Sequence, residues 1–112
     1  MAEKLFDTKK VILKYIEGLK KVGIDPEQIL LYGSYATGMA HKWSDIDIIV
    51  ISKDFETIPP LKRLELLSLA TWDVDAPIEA QGYTPREIAK GGKESIIWEE
   101  IERNHKVVYK AA

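Results

Sequence analysis

The chain has 112 residues, 46% of them hydrophobic and 30% charged, with a formal net charge of −2, the makeup of one small globular domain with a modest core. A balance so near neutral supplies no broad basic field for gripping phosphates, so no nucleic-acid partner is indicated. Zero cysteines exclude disulfides and thiolate metal sites; no apolar run approaches the roughly 18 residues of a membrane span, and Met1-Ala2-Glu3-Lys4 leads into no signal-peptide core, so residues 1–112 read as a single cytoplasmic domain with no membrane role.

From Asp7 to Val22, the residues Val11, Ile12, Tyr15, Ile16, Leu19 and Val22 recur at three- and four-residue spacing. That predicts an amphipathic helix, capped by Asp7 or Thr8 and ended by Gly23. Residues 28–32 form a short apolar run read as the first strand, and Gly33-Ser34 can open a helix of one or two turns before a loop through His41-Lys42-Trp43. The second strand spans about residues 45–52. Ile46, Ile48 and Val50 share one face, and Ile49 and Ile51 make the other apolar as well, so this strand is expected to be central.

Residues 53–60 are polar and end on Pro59-Pro60, a connection. Leu61, Leu64, Leu67 or Leu69, and Trp72 recur with helical period and predict a second long helix with Trp72 in the core. Residues 77–82 read as a third strand with Pro77 at its start or on an edge. Thr84-Pro85-Arg86-Glu87 combines a capping box with proline at the first helical position, and Gly91-Gly92 breaks the helix it starts. Residues 95–103 make a last helix with Ile97, Trp98 and Ile101 on one stripe, and Val107-Val108-Tyr109 is an edge strand or docking tail. His105 reads as surface. The alternation argues an α/β (α+β) fold around a small mixed sheet with flanking helices.

Chemistry concentrates in residues 31–50. A helix opened by Gly33-Ser34 offers unpaired backbone N–H groups and a partial positive charge, a seat for phosphate. Ten residues later, Asp45 and Asp47 stand one residue apart in a β-branched run and so point to one face of a strand. Two carboxylates that close repel unless a cation or proton lies between them, and hard oxygen donors favour Mg²⁺ or Mn²⁺. A phosphate seat beside a metal seat suggests nucleotide chemistry. A two-metal arrangement needs a further acid from a neighbouring strand, and the candidates lie among residues 73–79, with Glu79 and Asp75 foremost. The plain alternatives are an ordinary Gly-Ser turn, a half-wet strand face and solvated loop acids.

Gly33-Ser34, ten residues, then Asp45-Ile46-Asp47, with Ser44 before the first aspartate, Gly38 four residues past Ser34 and Ile48-Ile49-Val50 after the second, resembles the minimal nucleotidyltransferases, a family of the DNA polymerase β-like superfamily. The resemblance runs over nearly the whole chain. It implies a nucleotidyltransferase fold and an enzyme that transfers AMP from ATP to an acceptor hydroxyl. In that reading Asp45, Asp47 and Glu79 are catalytic and hold Mg²⁺, two ions in all, while Gly33, Ser34 and Lys42 contact the triphosphate. Glu79 is preferred over Asp75 because the family's third acid stands a few residues before a Thr-Pro helix start, although the usual residue there is Asp. Many relatives carry Arg where this chain has Thr37, and Lys42 or His41 is the available substitute. Trp43 either stacks on a base or packs over its loop, and Trp72 and Trp98 are read as core. The resemblance also implies a helical HEPN-family partner, a toxin whose tyrosine would be the acceptor, with this chain as its antitoxin. The alternative is a non-catalytic nucleotide-binding or antitoxin module that acts by contact.

Overall fold

A computed structural model describes residues 5–90 and 96–112. The first helix, α1 (Thr8–Lys21), begins where the Asp7 carboxylate accepts the backbone N–H of Lys10 at 3.3 Å, and it buries Ile12, Tyr15, Ile16 and Leu19. Strand β1 (Gln28–Tyr32) follows, then a single-turn helix α2 (Ser34–Thr37), then β2 (Ile46–Ile51). A 3-10 turn over Lys53–Thr57 leads to α3 (Pro60–Leu69), with proline at the first helical position where its missing N–H costs nothing. The chain continues through β3 (Ile78–Tyr83), α4 (Pro85–Lys90), α5 (Ile96–Asn104) and β4 (Lys106–Lys110).

The four strands form one mixed sheet in the order β3-β2-β1-β4. β1 runs antiparallel to both β2 and β4, whereas β2 and β3 are parallel, joined by α3 as crossover. β2 is therefore interior, as its two-sided apolar pattern predicts. Ile46, Ile48 and Val50 pack with α1, Phe55 and Leu67 on one face, and Ile49 and Ile51 pack with Leu30, Trp98 and Ile101 on the other. Gly18 lets α1 and α3 approach closely, since a Cβ there would overlap the Ala70 carbonyl oxygen. The capping box forms in full: Thr84 Oγ1 accepts from Glu87 N at 3.0 Å and Glu87 Oε1 accepts from Thr84 N at 2.7 Å. The expected break at Gly91-Gly92 lies outside the described residues, as does the side chain of the stripe position Ile97.

One part of the predicted core is wrong. Trp72 is 88% exposed, Leu61 81%, and Leu64 and Leu69 are also outside. The helix ends at Leu69, and its buried face consists of Arg63 and Leu67, followed by Ala70 just beyond the end. Arg63 can occupy that face because every side of its guanidinium finds a partner. It donates to the carbonyls of Ile58 at 2.7 Å, Phe55 at 2.8 Å and Gly82 at 3.3 Å, pairs with Glu87 Oε1 at 2.7 Å, and lies over the Phe55 ring. Burial alone would push the Glu87 carboxyl up, but the Arg63 hydrogen bond, the Thr84 backbone N–H and the Arg63 charge outweigh it and hold Glu87 below its ordinary range.

Candidate active site

The carboxylates meet through strand register. Tyr32 on β1 is the cross-strand partner of Asp47 on β2, and Asp47 is the partner of Glu79 on β3. Directly paired residues project to the same face, so a phenol and two carboxylates form one row across three strands. Asp45 stands one residue before β2, exposed, close enough to act electrostatically on Asp47. Burial, then the charges of Glu79 and Asp45, raise the Asp47 pKa to about 6. Burial followed by Asp47, Glu79 and Tyr83 pushes Tyr32 up to about 12. Asp75, by contrast, lies in the exposed turn before β3 and has no register with the pair.

The turn beside this row is built by Gly33. Its φ of 71° belongs to the left-handed region that a side chain disfavours, and a Cβ would overlap Asp47 Oδ2. Glycine thus lets the chain pass directly against the Asp47 carboxylate and turn at once into α2 at Ser34. Ala36 N and Thr37 N both donate back to the Gly33 carbonyl, at 3.0 and 3.2 Å, and the Thr37 hydroxyl does the same at 3.4 Å. Thr37 is spent on its own helix turn.

The loop into β2 is pinned by reciprocal bonds, with His41 N donating to Ser44 Oγ at 2.9 Å and Ser44 N to the His41 carbonyl at 2.9 Å. Ser44 is buried, which fixes the chain one residue ahead of Asp45. Lys42 and Trp43 lie on the outside of this loop, the ammonium 5.0 Å from the indole centroid and Trp43 79% exposed. Trp43 therefore does not pack over its loop. The sequence reasoning missed Tyr32. The one signal for it was its place immediately before the Gly33 turn; its pairing with Asp47 comes from the strand register.

Among the described residues, no three acidic or histidine side chains converge tightly enough as they stand to enclose an ion. The donor set nevertheless suits a hard divalent cation: three carboxylates gather around one strand row, and Asp47, raised first by burial and then by the charges of Glu79 and Asp45, is a carboxylate that a cation would favour in its charged form.

The sequence profile of the nucleotidyltransferase domain family matches residues 10–108, and the chain belongs to that family. A comparison with curated proteins gives no match. Solved structures share its fold. A toxin–antitoxin structure with AMP-PNP matches with a TM-score of 0.62 at 20% identity, over 92% of this chain and 73% of that one. A candidate nucleotidyltransferase from Sulfolobus solfataricus matches with a TM-score of 0.64 at 17% identity, over 91% and 79%. A structure of a tri-AMPylated Shewanella oneidensis HEPN toxin in complex with an MNT antitoxin matches with 0.54 at 19%, over 90% and 73%. No helix among the described residues is long and apolar enough to cross a membrane.

Proposed function

We propose that this chain transfers AMP from ATP to an acceptor hydroxyl, with a tyrosine of a helical HEPN-type toxin as the acceptor and the chain itself as the antitoxin. The observation that carries the reading is the pairing of Asp47 with Glu79 on adjacent parallel strands, beside the glycine turn that opens at Ser34. In the reaction the acceptor oxygen bonds to the α-phosphorus of ATP and the bond from that phosphorus to the α–β bridging oxygen breaks. Its electron pair leaves on pyrophosphate. Glu79, on the outer strand, takes the acceptor's proton as that oxygen attacks. The Ser34 hydroxyl and the first N–H groups of α2 hold the triphosphate, with Lys42 as the nearby cation in place of the charge that Thr37 lacks. Asp45, Asp47 and Glu79 would hold Mg²⁺, which when bound supplies neutralisation of the negative charge on the triphosphate and on the departing pyrophosphate.

Glu79→Gln is expected to lower the rate of AMP transfer far more than it weakens nucleotide binding, because a group acting on the attacking oxygen matters mainly in the transition state. Asp75→Asn should change neither. The check is labelled ATP with Mg²⁺ and the partner protein, and an inactive Asp75→Asn with an active Glu79→Gln would transfer the role to Asp75. Mg²⁺ and ATP should also bind together and poorly apart, since Mg²⁺ prefers an octahedral shell that the triphosphate oxygens help to complete. Melting temperature should therefore rise only with both present. An equal rise with ATP alone would mean that the carboxylates hold no metal, and binding without transfer would favour a module that acts by contact.

A further inference from the structure

The sheet has two rims, and they differ. β4 begins and ends on exposed lysines, Lys106 and Lys110, the kind of charge that discourages another strand from pairing there. Between Ile78 and Gly82, β3 carries no lysine; its one charge, Glu79, belongs to the Asp47 face. Ile46 N donates to the Pro77 carbonyl and Ser52 N to the Tyr83 carbonyl, so in this parallel pair the odd-numbered residues of β3 bond inward and the even-numbered ones face out. Two outward groups are already satisfied: Ile78 N donates to the Ala76 carbonyl at 3.0 Å, and the Gly82 carbonyl accepts from Arg63 at 3.3 Å. Between them remain the Ile78 carbonyl, the Ala80 N–H and carbonyl, and the Gly82 N–H. Among the described residues these four have no protein partner. They alternate acceptor, donor, acceptor, donor, which is the ladder of one short strand.

Beside this open rim runs a groove. A cavity of about 390 Å³ lies between Arg63 and Leu64 on α3 and residues 79–83, and a second of about 220 Å³ continues it past Leu64 toward Ile78. Leu64, Glu79 and Ala80 line both. Leu61 and Leu64, one helical turn apart, present uncovered apolar surface on α3. The groove's far end is electrically closed by the Arg63–Glu87 pair, and its near side contains Glu79.

We infer that the acceptor binds as an extended polypeptide segment that adds a strand to the β3 edge, with its hydroxyl-bearing side chain level with Glu79. This deepens the proposed transferase activity and rests on it. Register supplies the argument. A residue paired opposite Glu79 on an added strand lies about 5 Å further out and projects to the same face as Glu79 and Asp47. The sequence Tyr32, Asp47, Glu79 would then gain a fourth member, the acceptor. A serine or threonine hydroxyl ends one bond past Cβ and stays beyond Glu79, whereas a phenol carries its oxygen a ring's length further, over Glu79 toward Asp47. The main-chain ladder supplies affinity, and position in the row selects tyrosine.

The probe is a synthetic heptapeptide, Thr-Lys-Val-Tyr-Val-Lys-Thr, together with versions in which every second peptide N–H is methylated, in both phases. Titrated into the isotope-labelled protein, the unmodified peptide should shift the amide signals of Ala80 and Gly82 and slow their hydrogen exchange. One methylated phase should lose this effect and the other keep it. With Mg²⁺ and labelled ATP, the tyrosine should be labelled in the same two peptides, and the losing phase should fall by about tenfold or more. Ala80→Pro, which removes one outward N–H at a position where an edge strand tolerates proline, should weaken labelling alike while leaving the melting shift with Mg²⁺ and ATP in place. Labelling without protection of those two amides, or equal behaviour of both methylated phases, overturns the edge site. Protection already present in the free protein and lost on dilution assigns the rim to a second copy of the chain, and also overturns it. Protection without labelling upholds the edge site and removes the transferase reading instead.

Discussion

Asp47→Asn is expected to abolish nucleotidyl transfer and to make the metal-free protein more stable at pH 7. The loss should exceed about 100-fold, since even groups one layer behind metal ligands cost 10–100-fold when removed. The gain in stability follows from linkage. Asp47 titrates near 6 in the native protein against about 3.9 in an unfolded chain, so between those values the native state binds more protons and stability falls as pH rises. Above pH 6 the whole penalty is present. A shift of this size at a half-open position corresponds to about 1–2 kcal/mol once solvent screening is allowed for. Urea denaturation in the presence of a chelator should show the variant ahead of the parent at pH 7 and level with it at pH 4. Equal gains at both values would trace the effect to packing, and transfer within a few-fold of the parent would remove Asp47 from the chemistry.

The second large effect is structural. Arg63→Met should destabilise the domain by about 2–4 kcal/mol, because each buried carbonyl left without its donor costs about 1–3 kcal/mol while the half-exposed Glu87 recovers water, and lower its melting temperature by about 10 °C or more. The methionine fills much of the same space but leaves three carbonyls and the Glu87 carboxylate without their guanidinium. Glu87→Gln should cost clearly less, because glutamine still closes the capping box with Thr84. The Glu87 contribution has a sign of its own. Its carboxyl is held low in the native state, so its stabilisation is present above the unfolded pKa and disappears as pH falls through the native one. A scanning-calorimetry series from pH 7 to pH 3 on the parent and on Glu87→Gln should show the two converge at the acid end.

Much of this could be read from the sequence because local and global signals agree there. Residues 28–32 form β1 as predicted, the Asp7 cap and the Thr84–Glu87 box close as predicted, and the two-sided apolar run of β2 marks the centre of the sheet. The short spacing that put Asp45 and Asp47 together did not depend on tertiary structure. What the sequence could not reveal was which of two stripes on α3 turns inward. Of the apolar set Leu61, Leu64, Leu67 or Leu69, and Trp72, only Leu67 is buried, and its companion is Arg63, because the decision lies with the carbonyls of Phe55, Ile58 and Gly82, which are distant in the chain and invisible to a hydropathy pattern. For the same reason Tyr32 and Glu79 became members of one row only when the strand register was known.

α3, which forms the outer wall of the groove, is clamped from behind. Tyr15 donates its hydroxyl to the Leu67 carbonyl at 2.8 Å, and Gly18 lets the Ala70 carbonyl rest against α1. On the strand side, Gly82 leaves room for the Phe55 ring, which a Cβ would meet at 2.8 Å. Neither wall has slack. A segment that settles between them would find its template already formed, so the entropy of ordering would fall almost wholly on the incoming chain. Preference among acceptors would then follow how readily each segment adopts an extended shape before it arrives, and β-branched residues around the acceptor would matter even where they touch nothing.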